Sequence, residues 1–222
     1  MAMTRRHILA LFSAAALGGS AATLGGCKIV ANADLKAAKA KSTDEFNANA
    51  YVDKIWTSKV LPDFRSRAIE VDALLQQAAQ DPDKAGQAHG HRAGDGNPWT
   101  FEIKGEGKIT AIDAASRHAI VTVEVQAAPG ARKINLQVGP VVFGTALRDA
   151  LSFIQFGDFV NQIQYAQVSR ALNDRASKSV RESFDPKDAV GKTVVFYAAA
   201  VLSGDTITAT PVIIEPAKGG KT

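Results

Sequence analysis

Cysteine is all but missing from this chain. Cys27 is the only one in 222 residues, which excludes an internal disulfide framework and any site built on several thiolates. Histidine is sparse, four in all, and neither an HExxH helix nor a GxSxG elbow occurs, so those marks of zinc peptidases and serine hydrolases are lacking. No apolar run reaches the roughly 20 residues that a membrane-spanning helix needs. Charge of one sign is short as well. The formal net charge is +4 with the lysines scattered, whereas a groove that follows a phosphate backbone needs a concentrated basic stripe, so nucleic acid is not an expected partner.

What the chain does have begins with an address. Arg5 and Arg6 form a positive start, Ile8 to Leu17 an apolar core and Gly19 to Gly26 a small-residue stretch, the three parts of an export signal. The segment ends in Leu24-Gly25-Gly26-Cys27, which resembles a bacterial lipobox, where the thiol is joined to diacylglycerol and cleavage leaves it as the new amino terminus. Lipidation accounts for both the presence and the solitude of Cys27. Thr4 to Leu9 also resembles a twin-arginine motif, and the export route stays open. The expected protein is periplasmic and held by lipid on the inner or outer membrane, with residues 1–26 as signal peptide and 27–42 as a tether. Cleavage before Cys27 removes two arginines and no acid, taking +4 to +2 and leaving about 196 residues, enough for one domain with an extension.

Thr43 or Asp44 is placed to cap a helix bearing Phe46, Tyr51, Val52, Ile55, Trp56 and Val60, which Pro62 breaks or restarts. A second helix is expected over Phe64 to Ala79, stopping at Asp81-Pro82-Asp83, so that 43–84 form an N-terminal helical hairpin packed on the strand-rich remainder of the chain. Ala85 to Pro98 is Gly-rich and reads as a loop. Its His89 and His91 are of a type that suits zinc, copper or nickel, but a pair in a flexible loop lacks a fixed third ligand, so neither a metal nor another cofactor is expected. Strand patterns occupy Trp99 to Ile103, Gly107 to Ile112, His118 to Val125, Lys133 to Phe143, Val194 to Leu202 and Thr206 to Ile214, with a polar tail over 216–222.

The stretch from Asn135 to Gln167 organises the rest. Strand alternation meets Gly139-Pro140, resumes at Val141 to Phe143, and gives way after Gly144 to a helix capped by Thr145 and then to a second helix capped by Asp158. Leu151 falls on the face of the first helix expected to plug a barrel end. Three or four strands, a helical crossover over 145–180 and two closing strands describe an α+β fold. Residues 85–215 are read as an OB-like, partly open β-barrel of about five to six strands, with the crossover between its third and fourth strands. An open sheet with helices on one face is the alternative. Arg148, Asp149, Asp158, Asn161 and Gln162 gather polar groups around the two helix starts, where amides and a guanidinium could hold the hydroxyls of a small sugar-like ligand or a partner's loop. No catalytic residues stand out. A hydrolase using Asp149 and Asp158 as a carboxylate pair is the alternative activity.

FNANAYVDKIW, HRAGDGNPWTFEIKGEG, LQVGPVVFGTALRDALSFIQFGDFVNQIQYA and GKTVVFYAAAVLSGDTITATPV together resemble domain-of-unknown-function family 2291, predicted bacterial periplasmic lipoproteins. The resemblance spans nearly the whole mature chain. It implies a lipid-anchored periplasmic protein serving a sugar uptake system of the ABC type, with a periplasmic or membrane transport component as partner, and it carries no catalytic residues over.

Overall fold

The computed structural model of the protein describes residues 46–128, 130–202 and 206–217. The export signal, Cys27, the tether, the expected cap at Thr43 or Asp44 and the end of the tail lie outside the described residues. Asn47 caps the first described helix, its side chain accepting the Ala50 amide at 2.9 Å. This helix, α1 (Ala48–Ile55), runs on through a π-helical turn (Trp56–Val60) into α2 (Leu61–Arg67). The wider turn accommodates Pro62, which has no amide hydrogen to give to the ladder.

The expected single helix over Phe64 to Ala79 is in fact two. Ala68 turns extended, β1 (Ile69–Glu70) is drawn into parallel pairing with Ile103 and Lys104, and α3 (Val71–Gln80) comes next. The segment read as a loop from Ala85 belongs at first to α4 (Pro82–His89), which carries the chain across the boundary drawn after residue 84. Asp81 accepts the Lys84 amide at 2.9 Å and Pro82 fills the first turn, so the Asp-Pro pair that ends one helix also starts the next. Gly86 leaves room for an aromatic ring: a β-carbon there would lie 2.4 Å from Trp99.

β2 (Gly90–His91) pairs with the start of β3 (Thr100–Asp113), a continuous strand where the sequence shows two short runs. The first part of β3 pairs antiparallel with β6 (Thr193–Val201) and the second with β4 (Ile120–Val125), Gly107 and Lys108 being shared by both ladders. β5 (Arg132–Gln137) lies beside β4, and β7 (Thr206–Pro216) pairs in parallel with β5 and antiparallel with β6. Five strands thus form a ring of pairings, β3-β4-β5-β7-β6-β3, with α6 (Gln162–Ser183) between the third and fourth in chain order. That is the order of an oligonucleotide/oligosaccharide-binding barrel. The β3–β6 pairing excludes the simple open sheet.

Alternation along each strand sorts side chains into two cores. Val121, Val123, Ile134, Leu136, Phe196, Ala198 and Ala200 fill the barrel. On the other face of β6 and β7, Ala199, Val212 and Ile213 pack against Trp56 and Phe64 from the N-terminal helices and Val168 and Leu172 from α6. Leu151 belongs to this outer core and does not plug the barrel end, because the chain around it is layered with α6 and the N-terminal helices.

Candidate ligand-binding cleft

β5 ends at Gln137, and the chain then leaves the sheet without resuming a strand at Val141. Pro140 cannot donate to a ladder. Before it the amides of Val138 and Gly139 both turn to the Ala119 carbonyl, at 2.9 and 3.1 Å, and after it Val141 donates to Arg117 at 3.0 Å. Side chains hold the lip so formed. Gln137 accepts the Phe143 amide at 2.9 Å and donates to the Phe143 carbonyl at 3.2 Å; Asn173 donates to the Gly144 carbonyl at 2.9 Å and Ser177 to the Gly139 carbonyl at 2.7 Å. Asn173 and Ser177 continue a buried polar row that Ser169 begins, four residues apart along α6.

The lip leads into α5 (Ala146–Ala150). The Thr145 side chain caps no amide; its hydroxyl donates to Asp149 at 2.5 Å. Arg148 is buried, with its Nε 2.8 Å and its Nη2 2.6 Å from the same Asp149 oxygen, and its guanidinium lies 3.7 Å from the centre of the Tyr165 ring. The pair therefore neutralises itself and stacks on an aromatic face. Burial pushes the Tyr165 phenol above its ordinary range, against the opposing charge of Arg148, so it stays a neutral hydroxyl.

A cleft of about 720 Å³ opens here, within the roughly 300–1,000 Å³ typical of small-molecule sites. Its floor is Thr100, Gln137, Val201 and Thr208 from four barrel strands; its walls are Asn97 and Pro98, the lip with Phe143, Arg148 and Asp149, and Phe156, Gln162 and Tyr165. Of the polar residues singled out in the sequence, Arg148, Asp149 and Gln162 line this cleft. Asp158 and Asn161 are not among the lining residues. Asp158 does not cap the second helix: it closes a 3-10 turn (Phe156–Asp158) by accepting the Gln155 amide at 3.0 Å. Asn161 is the cap of α6, accepting the Gln164 amide at 3.0 Å. Thr100, Gln137, Thr208 and Tyr165 escaped sequence reasoning. Only the polar row Ser169, Asn173, Ser177 on an otherwise apolar helix face signalled that something polar had to be held there.

A smaller cavity of about 140 Å³ is walled by Arg67, Ala88, His89, His91, Glu102 and Ala150. The two histidines are committed to different acceptors: the His89 Nε2 lies 2.9 Å from the Gln77 side-chain oxygen and the His91 Nδ1 2.7 Å from the Asp149 carbonyl. Among the described residues no three His, Cys, Asp or Glu side chains are gathered to hold a metal ion. Glu102 is 5% exposed. Burial, then the neighbouring Asp63, push its carboxyl up to about 8, with Arg67 opposing.

Among solved structures the chain is similar to an OB-fold protein from Thermotoga maritima, at 20% identity, with a TM-score of 0.62 over 78% of this chain and 99% of that one. That likeness shows the fold alone. No curated protein matches the chain. A family model described as a predicted periplasmic lipoprotein (DUF2291) matches residues 18–215. The chain belongs to this family. As a DUF2291 protein it is periplasmic and lipid-anchored. Among its described residues no helix is long and apolar enough to cross a membrane.

Proposed function

We propose that this DUF2291 lipoprotein is a non-enzymatic receptor that binds a small, neutral, hydroxyl-rich ligand, sugar-like in its chemistry, in the cleft beside α5. The observation that carries this is the inventory of cleft groups. The one strong charge pair, Arg148 and Asp149, is spent internally. The side chains of Thr208, Asn97 and Gln162 make no hydrogen bonds among the described residues, and Phe143 and Phe156 present exposed faces at 62% and 47%. Neutral donors and acceptors beside aromatic faces suit alternating hydroxyls and C–H faces better than they suit an ion. With a lipid on Cys27, such a receptor would work beside a membrane transport component, an accessory role in uptake. The carboxylate hydrolase has less support: both Asp149 oxygens are already engaged, by Thr145 and Arg148, and Asp158 serves its own turn.

The test is a titration of the full lipidated chain in detergent with a panel of neutral mono- and disaccharides. At least one should bind, and Gln162→Ala and Thr208→Val should each weaken it about tenfold, ~1.4 kcal/mol, with the melting temperature unchanged. No binding across the panel, or equal binding by both variants, would remove this reading. Crosslinking the lipidated protein in its membrane and identifying what is captured tests the transport role separately.

A further inference from the structure

The oxygens Asp63 Oδ2, Glu102 Oε1 and Glu102 Oε2 are all buried without a hydrogen-bond partner. Ionised carboxylates only accept, so these two neighbours repel and leave the three oxygens without a donor, the Arg67 Nε standing 4.0 Å away from the other Asp63 oxygen. A single proton between them supplies the missing O–H and cancels one charge. We infer that Asp63 on α2 and Glu102 on β3 share one proton, and that this proton is a pH-sensitive latch seating α2 and α5 on the barrel wall. This inference does not depend on the cleft's ligand.

The surroundings give the latch its reach. Facing Glu102 are Asp63 and Arg67 from α2, and His89 and His91 from the end of α4 and from β2; two residues along β3, Lys104 is occupied by Glu70 at 3.1 Å. Arg67 and His91 do more than line the cavity. Arg67 Nη1 donates to the Ser152 hydroxyl at 3.0 Å, and His91 holds the Asp149 carbonyl. Both thus grip the segment that carries Arg148 and Asp149 into the cleft. When the shared proton leaves, the new negative charge in the cavity competes for Arg67 and for the His91 ring, and the grip on α5 loosens. Burial and the neighbouring Asp63 hold the Glu102 carboxyl well above the usual carboxylate range, so the release comes as pH rises.

The experiment is NMR on the full lipidated chain in detergent micelles, with glutamate side-chain carboxyls labelled with carbon-13 and amides with nitrogen-15, through a pH titration. One glutamate carboxyl should titrate far above the ordinary range near 4.3, and the amides of residues 148–152 should shift with the same midpoint. Glu102→Gln should remove that carboxyl signal and flatten the amide shifts. Asp63→Asn, which supplies a permanent donor, should lower the Glu102 midpoint by about one pH unit or more, and it serves as the test if Glu102→Gln does not fold. A Glu102 carboxyl that titrates in the ordinary range, amides at 148–152 that ignore its midpoint, or a midpoint unmoved by Asp63→Asn would overturn the latch.

Discussion

A buried acid that keeps its proton makes stability fall with rising pH. Burial and then Asp63 push the Glu102 carboxyl up to about 8 in the folded protein, whereas a glutamate in the unfolded chain lies near 4.3. Between those values the native state holds more protons than the unfolded state, so the free energy of unfolding declines through that window and levels off above it. Urea midpoints measured from about pH 5 to about pH 9 should decline in the wild type and much less in Glu102→Gln; parallel profiles would show that the carboxyl is not held protonated. Arg148 is also legible only with its neighbours in view. The sequence offers it as a ligand-binding guanidinium, but its bonds to Asp149 and its stacking on Tyr165 make it a brace between α5 and α6. A lysine cannot make both contacts. Arg148→Lys should therefore lower stability by about 1–3 kcal/mol, read from chemical denaturation, whereas Gln162→Ala should not.

Elements are readable where local signals are unopposed. The strands of the ring and the crossover emerge from alternation and spacing, and α6 is evident from Tyr165, Val168, Leu172 and Ala176 at three-and-four intervals. Misreadings arise where one residue type serves two roles. Asp81-Pro82 reads as a stop, yet the same pair starts α4, and Asp158 reads as a helix cap because the competing Asn161 cap lies only three residues on. The split between α2 and α3 is invisible in the sequence because it is imposed from outside, by β3 pairing with Ile69 and Glu70. α5, at five residues, is too short to hold itself and depends on the outer core. Leu151, fully buried there against α6 and the N-terminal helices, should cost about 2–5 kcal/mol when cut to alanine. A loss under about 1 kcal/mol would mean that the segment packs loosely.

For the molecule as a whole, the feature that turns a set of strands into a barrel is the double pairing of β3. At Gly107 that strand is bonded to Val125 on one side and to Val194 on the other, so both neighbouring ladders crowd the same residue. The sequence reads as two runs, Trp99 to Ile103 and Gly107 to Ile112; the backbone shows one strand that passes straight through, with no space for a side chain at Gly107. A β-carbon at 107 would lie 2.4 Å from the Glu124 carbonyl oxygen, a backbone atom fixed in the β4 ladder, and 2.8 Å from the Val123 side chain. Neither neighbour can yield without shifting β4 from β3. Gly107→Ala should therefore destabilise by about 1–3 kcal/mol, the cost of overpacking, and weaken amide-exchange protection along both β3–β4 and β3–β6. Gly157, where an added β-carbon meets nothing within 4 Å, is the control: its alanine variant should unfold like the wild type. If Gly107→Ala does the same, the ring is not closed through that residue and the barrel must be held at another point of β3.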